Sequence, residues 1–233
     1  MPGHCGAAIK AYSQLGASGQ LYPRQESTYT FISNVISEVA ALTPGAYIHI
    51  GGDESSISAT DYDYFIGRVN DIVASNGKKM IGWNPVDTTS GIHTDALLQH
   101  WSGTYSSAQS KGILIILSPA SKAYIDMKYD SSNTYGQTWA GYVPTNTAYG
   151  WDPTNYVSQS QSVGVEGPLW SEYIDTVSKI DFMTYPRLPS LAEVGWTPVG
   201  LRSWNEYKLR LKAHGPRMAN LGVNFYHDPV VPW

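Results

Sequence analysis

Apolar residues change their spacing repeatedly along the chain, and each change marks an element. From Tyr29 to Leu42 they recur at helical intervals (Phe31, Val35, Ile36, Val39, Ala40) and stop at Pro44-Gly45, which predicts an amphipathic helix. A shorter helical pattern covers Ile9 to Leu15. Ala46-Tyr47-Ile48-His49-Ile50 switches to a β-branched and aromatic run bounded by Thr43-Pro44-Gly45, and reads as a buried strand. Helical spacing returns from Asp61 to Asn76 (Tyr64, Phe65, Val69, Ile72, Val73), closes at Asn76-Gly77 and leads into Lys79-Met80-Ile81-Gly82-Trp83, completing a strand-helix-strand unit. Leu97 to Trp101, Gly112 to Ser118 and Val163 to Trp170 are predicted as the third, fourth and fifth strands. Trp204 to Leu221 is a closing helix with Tyr207, Leu209, Leu211 and Met218 available for burial. Asp130 to Gln161, rich in Ser, Thr, Asn, Gly and Pro, reads as a long loop that Trp139, Tyr142, Tyr149 and Trp151 can anchor.

Strands alternating with helices predict an α/β protein: a parallel sheet, helices outside, and functional groups at the C-terminal strand ends. Polar and aromatic residues gather there. Asp53 and Glu54 end the first strand, Trp83 the second and Trp101 the third, Tyr124 and Asp126 follow the fourth, and Trp170 with Glu172 ends the fifth. The 233 residues suit one α/β barrel domain as well as two small ones, and a single domain over 1–233 is the reading adopted.

The six residues His49-Ile50-Gly51-Gly52-Asp53-Glu54 carry the densest chemical signal. Side chains alternate along a strand, so adjacent carboxylates share a site only if the strand stops before them, and Gly51-Gly52 permit that stop. Two close carboxyl groups resist ionising together, which suits glycoside cleavage, where one protonates the leaving oxygen and the other faces a developing cation. The same pair also suits a helix N-terminus, where carboxylates cap free N–H groups.

Composition narrows the field. Charged residues are only 15% of the chain and the net charge is −4, so there is no basic footprint for nucleic acid and no polybasic membrane patch. The 8 Trp and 17 Tyr supply flat faces of the kind laid against sugar rings, although core packing uses aromatics too. The single Cys5 excludes an internal disulfide and a cysteine metal cluster, and reads as a small buried hydrophobe. No run approaches the ~20 apolar residues of a membrane span, and no signal peptide is visible. Low charge with abundant Ser, Thr, Asn and Tyr has the look of a secreted, extracellular protein. No metal-ligand spacing stands out, so neither metal nor cofactor is expected.

With these residues assembled, the chain resembles glycoside hydrolase family 20, the β-N-acetylhexosaminidases, over essentially its whole length. The matching segments are Met1-Pro-Gly-His4, His49-Ile-Gly-Gly-Asp-Glu54, Gly82-Trp83, Gln99-His-Trp101, Tyr124-Ile-Asp-Met-Lys-Tyr129, Trp139-Ala-Gly-Tyr142, Trp151-Asp-Pro153, Gly164-Val-Glu-Gly-Pro-Leu-Trp-Ser-Glu172, Tyr185-Pro-Arg-Leu188 and Ala192-Glu-Val-Gly-Trp196. The resemblance implies a retaining exo-hydrolase that removes terminal β-linked N-acetylglucosamine or N-acetylgalactosamine, from chitin oligomers or glycan ends, by substrate-assisted catalysis through an oxazolinium intermediate. By the same resemblance Glu54 is the general acid and base, Asp53 holds the acetamido N–H, and Tyr124 donates to the acetamido oxygen. Trp83, Trp101 and Trp170 wall the sugar pocket, Asp126 and Glu172 accept from sugar hydroxyls, Trp139 stacks at the mouth, and His4 joins a hydrogen-bond network near the acid. On their own, the three Trp would read as core or barrel rim, Tyr124 as a surface residue, Asp126 and Glu172 as solvated or capping carboxylates, and His4 as a frayed terminal residue. Glu166 and Glu193 read as structural partners, His49 and His100 as satisfied core histidines.

The resemblance also implies a gap. The family's (β/α)8 TIM-type barrel has eight strands and its Met-Pro-Gly-His motif follows the third, so this chain corresponds to an incomplete barrel, about strands 4 to 8. The first three strands, an upstream arginine that grips sugar hydroxyls and the aspartate preceding Met1 are absent, and Gly16 to Thr28 is short. Three accounts are compatible: a fragment of a full hexosaminidase, a half-barrel completed by another chain, or a remnant that binds sugar without cleaving it. An open barrel edge would favour self-association.

Overall fold

The computed structural model describes all residues, 1–233. The fold is α/β, and its main sheet has five strands, β3 (Tyr47–His49), β4 (Lys79–Trp83), β5 (Leu97–His100), β6 (Leu114–Leu117) and β7 (Ser162–Val165), lying side by side in chain order. β3 pairs parallel with β4 (Ile48 opposite Met80) and β4 with β5 (Gly82 opposite Leu98). All five strands lie within the segments that the sequence predicts for them, except that β7 starts one residue earlier. The last is much shorter than expected: Glu166 to Trp170 is not strand.

The chain divides into two compact units, Met1–Ile115 and Ile116–Trp233. The first opens with α1 (Gly6–Ala11), a 3-10 turn at Ser13–Leu15 and a two-residue antiparallel hairpin, β1 (Gly16–Ala17) with β2 (Gln20–Leu21). Then come α2 (Glu26–Leu42), β3, α3 (Ala59–Ser75), β4, β5 and α4 (Ser106–Lys111). α3 starts where Ser58 accepts the Asp61 N–H, and it ends at Asn76-Gly77, with Gly77 at φ 70°. Its Phe65, Ile66, Val69 and Val73 are fully buried, each contributing roughly 1.5–3 kcal/mol. α2 buries Tyr29, Ile32 and Ile36 on one face and packs on α3.

The second unit carries α5 (Ala120–Ala123), α6 (Thr145–Tyr149), β7, α7 (Val177–Thr184), α8 (Arg187–Trp196) and α9 (Trp204–Asn220). Tyr149, Tyr207, Leu211 and Val231 form a buried cluster, with Tyr149 stacked on Tyr207 at 4.3 Å and 12°. The tail is pinned back on α6: Asp228 accepts the Thr145 N–H at 2.8 Å and its hydroxyl at 2.6 Å.

Several expectations are corrected. The first strand is not buried throughout: Ile48 and Ile50 are inside but Tyr47 and His49 are exposed, as period-2 alternation requires at an outermost strand. His49 is therefore satisfied without being core, accepting the Gly51 N–H at Nδ1 and meeting Gln99 Oε1 through Nε2, whereas His100 is core. Cys5 is half-buried rather than buried. In the 130–161 segment Tyr149 and Trp151 do anchor the chain, but Trp139 and Tyr142 stand exposed, and α6 breaks the expected loop. Glu193 does serve structure, pairing with Arg210 and Tyr149, but the exposed Glu166 side chain has no partner.

Candidate active site

The first unit brings His4, Asp53 and Glu54 together. β3 stops at His49, and the backbone then passes through Gly51 (φ 75°), Gly52 (φ 110°) and Glu54 (φ 49°). These left-handed angles carry both carboxylates off the strand's alternation and onto one imidazole: His4 Nε2 lies 3.5 Å from Asp53 Oδ2 and 3.2 Å from Glu54 Oε2. Gly52 is required twice over, because a Cβ there would also strike Val86. The turn is braced by the Tyr62 hydroxyl, which donates to Gly52 O at 2.6 Å, and by the Met1 amino group, which donates to Ile50 O at 2.7 Å. A Cβ at Gly3 would lie 3.2 Å from Glu54 O and 3.3 Å from Asp53 O, so the His4 segment packs directly on the carboxylate turn.

The two carboxylates differ in exposure, the Asp53 side chain being 20% and that of Glu54 60% exposed. Glu54 borders a cavity of about 530 Å³ whose other walls include Ile57, Tyr62, Pro85 and Thr88. His4, Asp53 and Glu54 also present one ligand atom each within 4.8 Å of one another, the chain's one group able to hold a metal ion.

Trp83 ends β4 almost buried, its ring 5.4 Å from the His49 ring. Trp101 follows β5 and donates its Nε1–H to Asn84 O at 3.3 Å, while Asn84 Oδ1 meets His100 Nδ1 at 3.1 Å. Burial alone pushes His100 down to about 4, so it is neutral across the physiological range. Asn84 thus ties the turn after β4 to His100 at the end of β5 and to Trp101 beyond it, an arrangement that no local motif signals.

The second unit assembles Tyr124, Trp139 and Trp170. Tyr124 is buried, its ring edge-on to Trp139 at 5.7 Å and tilted to Trp170 at 6.3 Å, and both Trp rings are partly open to solvent. Asp126 is 1% exposed, and neither carboxylate oxygen accepts a well-formed hydrogen bond. Burial pushes its acid up to about 6, with backbone N–H groups and Arg187 drawing it weakly down and Glu172 adding to the rise. Glu172 itself is exposed.

Arg187 holds this group in place. Fully buried, it donates to Met183 O, Ile125 O, Met127 O and Val143 O, and stacks 3.7 Å over the Tyr129 ring. Two of those carbonyls flank Asp126 directly. The motif Tyr185-Pro-Arg-Leu188 marked the residue, but only the fold shows that its fork organises the segment after Tyr124.

Each unit thus carries a feature that suits a carbohydrate: the first a carboxylate pair turned off a strand end, the second an aromatic cluster and a buried carboxylate. The model of the family described as glycosyl hydrolase family 20, catalytic domain, matches residues 1–62 and 55–199. The chain belongs to glycosyl hydrolase family 20. Among family 20 relatives, a β-N-acetylhexosaminidase of Cellulomonas fimi is 32% identical over all of this chain and 51% of its own length. The solved Streptomyces plicatus N-acetyl-β-hexosaminidase, in complex with Thio-NAglucal, superposes with a TM-score of 0.94 at 38% identity, covering 100% of this chain and 52% of that one. The Streptomyces coelicolor A3(2) family 20 enzyme gives 0.93 at 37%, with the same coverage. The chain thus spans about half the length of these three relatives.

Proposed function

We propose that the protein hydrolyses terminal β-linked N-acetylhexosaminides with retention, using the substrate's own acetamido group as nucleophile. The observation that carries the reading is the placement of Asp53 and Glu54: adjacent in sequence, turned by Gly51-Gly52 to one imidazole, one largely screened and one open. The open Glu54 gives its proton to the glycosidic oxygen as the C1–O bond breaks, and the cavity beside it has room for the departing group. The acetamido oxygen bonds to C1 in the same step, closing an oxazolinium ring with the advantage of an intramolecular reaction. Screened Asp53 accepts the acetamido N–H and balances the ring's positive charge. Glu54, now a carboxylate, takes a proton from water as the water oxygen attacks C1, and the acetamido group is restored.

Tyr124 donates its hydroxyl to the acetamido oxygen, with Trp170, Trp83 and Trp101 as walls and Trp139 at the mouth. Asp126 and Glu172 accept hydrogen bonds from sugar hydroxyls. The unpaired oxygens of Asp126 support that role, since a ligand hydroxyl would satisfy an acceptor that the chain itself leaves unsatisfied. His4 is a positioning residue for both carboxylates. The barrel reading stands as part of this proposal: strands β3 to β7 act as five of eight. Turnover then requires the portion that relatives carry beyond the matched half, supplied in cis or in trans. The test is hydrolysis of a chromogenic β-N-acetylglucosaminide with that portion restored, and its loss in Glu54→Gln; turnover that survives the substitution would refute the assignment.

A further inference from the structure

A cavity of about 700 Å³ in the second unit takes none of its walls from Tyr124, Asp126, Trp139 or Trp170. Its floor is Tyr149 and Trp151, both buried, with Tyr149 stacked on Tyr207 and Trp151 donating its Nε1–H to Ala148 O. Arg202 fixes that floor: Nη1 donates to Tyr149 O and Nη2 to Trp151 O, each at 2.8 Å, so both ends of the guanidinium fork are occupied. Two half-buried rings form the sides. Trp204 lies 5.7 Å from Tyr149 at 52°, and Tyr156 stands edge-on to Trp151 at 5.6 Å. These are aromatic faces backed by immobile rings, and they lose little entropy on binding a flat partner.

The rim is polar and uncommitted. The Lys122 ammonium and the Asn155 amide make no hydrogen bond or ion pair within the chain, and Asp152 uses Oδ1 to accept the Thr154 N–H while Oδ2 has no protein partner. A wholly apolar ligand would strand those groups. A phosphate-bearing ligand would meet one free cation beside a carboxylate, too little charge for tight anion binding. A pyranose ring satisfies both demands, laying its C–H face on Trp204 or Tyr156 and its hydroxyls against Lys122, Asn155 and Asp152.

We infer that this cavity is a second saccharide-binding site, distinct from the Asp53–Glu54 turn, that holds a ring of a β-linked N-acetylglucosamine oligomer. The choice of that sugar rests on the function proposed above; the presence of a saccharide site rests on the cavity alone. A site of this kind keeps a polymeric substrate on the protein between cleavage events, an effect of local concentration.

The test is calorimetric titration of the 233-residue Glu54→Gln chain with the N-acetylglucosamine pentamer, in the presence of a saturating monosaccharide oxazoline-type inhibitor. Residual binding of the pentamer is expected, weakened at least fivefold by Asn155→Ala with Lys122→Ala, side chains whose loss removes no hydrogen bond or ion pair, and by Trp204→Ala more strongly. The wild-type fluorescence and melting temperature of the Asn155 and Lys122 variants check that the fold is intact. Absence of residual binding, or residual binding that both rim substitutions leave unchanged, overturns the inference. Failure of the inhibitor to bind while the pentamer still responds to the rim variants would leave the second site standing and show that the Asp53–Glu54 site is completed only with the portion that relatives carry beyond the matched half.

Discussion

His4 Nε2 stands 3.2 Å from Glu54 Oε2, a contact between the first residues of the chain and the turn that follows β3. The imidazole lies 3.5 Å from Asp53 Oδ2 as well, so it fixes the mutual orientation of the two carboxylates to which the proposed mechanism gives the proton donation and the hold on the acetamido group. His4→Ala is expected to lower kcat about tenfold with a smaller change in KM, because it loosens geometry rather than removing a reacting group. Parallel kcat and KM measurements check this; an unchanged kcat would show that the two carboxylates hold their places without it.

Asp126 makes the protein's stability depend on pH in an unusual direction. Its folded-state acid is raised from 3.8 to about 6, so the folded chain binds the proton more tightly than the unfolded chain. The resulting penalty is absent below the unfolded value, grows as pH rises from about 4 to 6, and is complete above that. Two units correspond to roughly 3 kcal/mol at most. Asp126→Asn should therefore raise the melting temperature at pH 7.5 and leave it nearly unchanged at pH 4, while weakening sugar binding. Equal effects at both pH values would contradict the account.

Arg187→Lys keeps the charge and loses the planar fork that reaches four carbonyls. A loss of about 3 kcal/mol is expected, roughly 6–12 °C in melting temperature. Any folded protein that remains should bind inhibitor poorly, because the carbonyls on either side of Asp126 have lost their common tether. Thermal melts with inhibitor titration decide it, and a normal melting temperature would remove Arg187 from its assigned role.

The acetamido clamp makes its own prediction. Asp53→Asn and Tyr124→Phe should each weaken an oxazoline-type inhibitor by about 10- to 100-fold, the cost of losing one buried hydrogen bond to a charged or strongly polar partner. Unchanged affinity in either would detach that residue from the acetamido group.

The sheet is legible in the sequence where a strand is a compact run set off by Gly, Pro or Asn, as at Lys79–Trp83, which has the bounds its pattern indicates, and less so at Ser162–Val165, whose two valines flank a glycine. The sequence concealed α5, α7 and α8, whose apolar positions are interrupted by Pro, Ser and Thr and which form through packing more than through propensity. Asp53-Glu54 after a glycine pair was readable as a strand that stops. His4 beside it was not, since no local spacing links the two, and only the family resemblance placed it there. The roles of Arg187 and Asn84 are illegible for a similar reason: their partners are carbonyls and rings distant in the chain, which composition cannot show.

The most direct measurement is turnover of a chromogenic β-N-acetylglucosaminide, set beside the matching glucoside that lacks the acetamido group, by the protein completed with the portion its relatives carry beyond the matched half. The account predicts hydrolysis of the first substrate only, falling about a thousandfold in Glu54→Gln. Comparable rates on the two substrates, or a Glu54→Gln variant within tenfold of the parent, would contradict it.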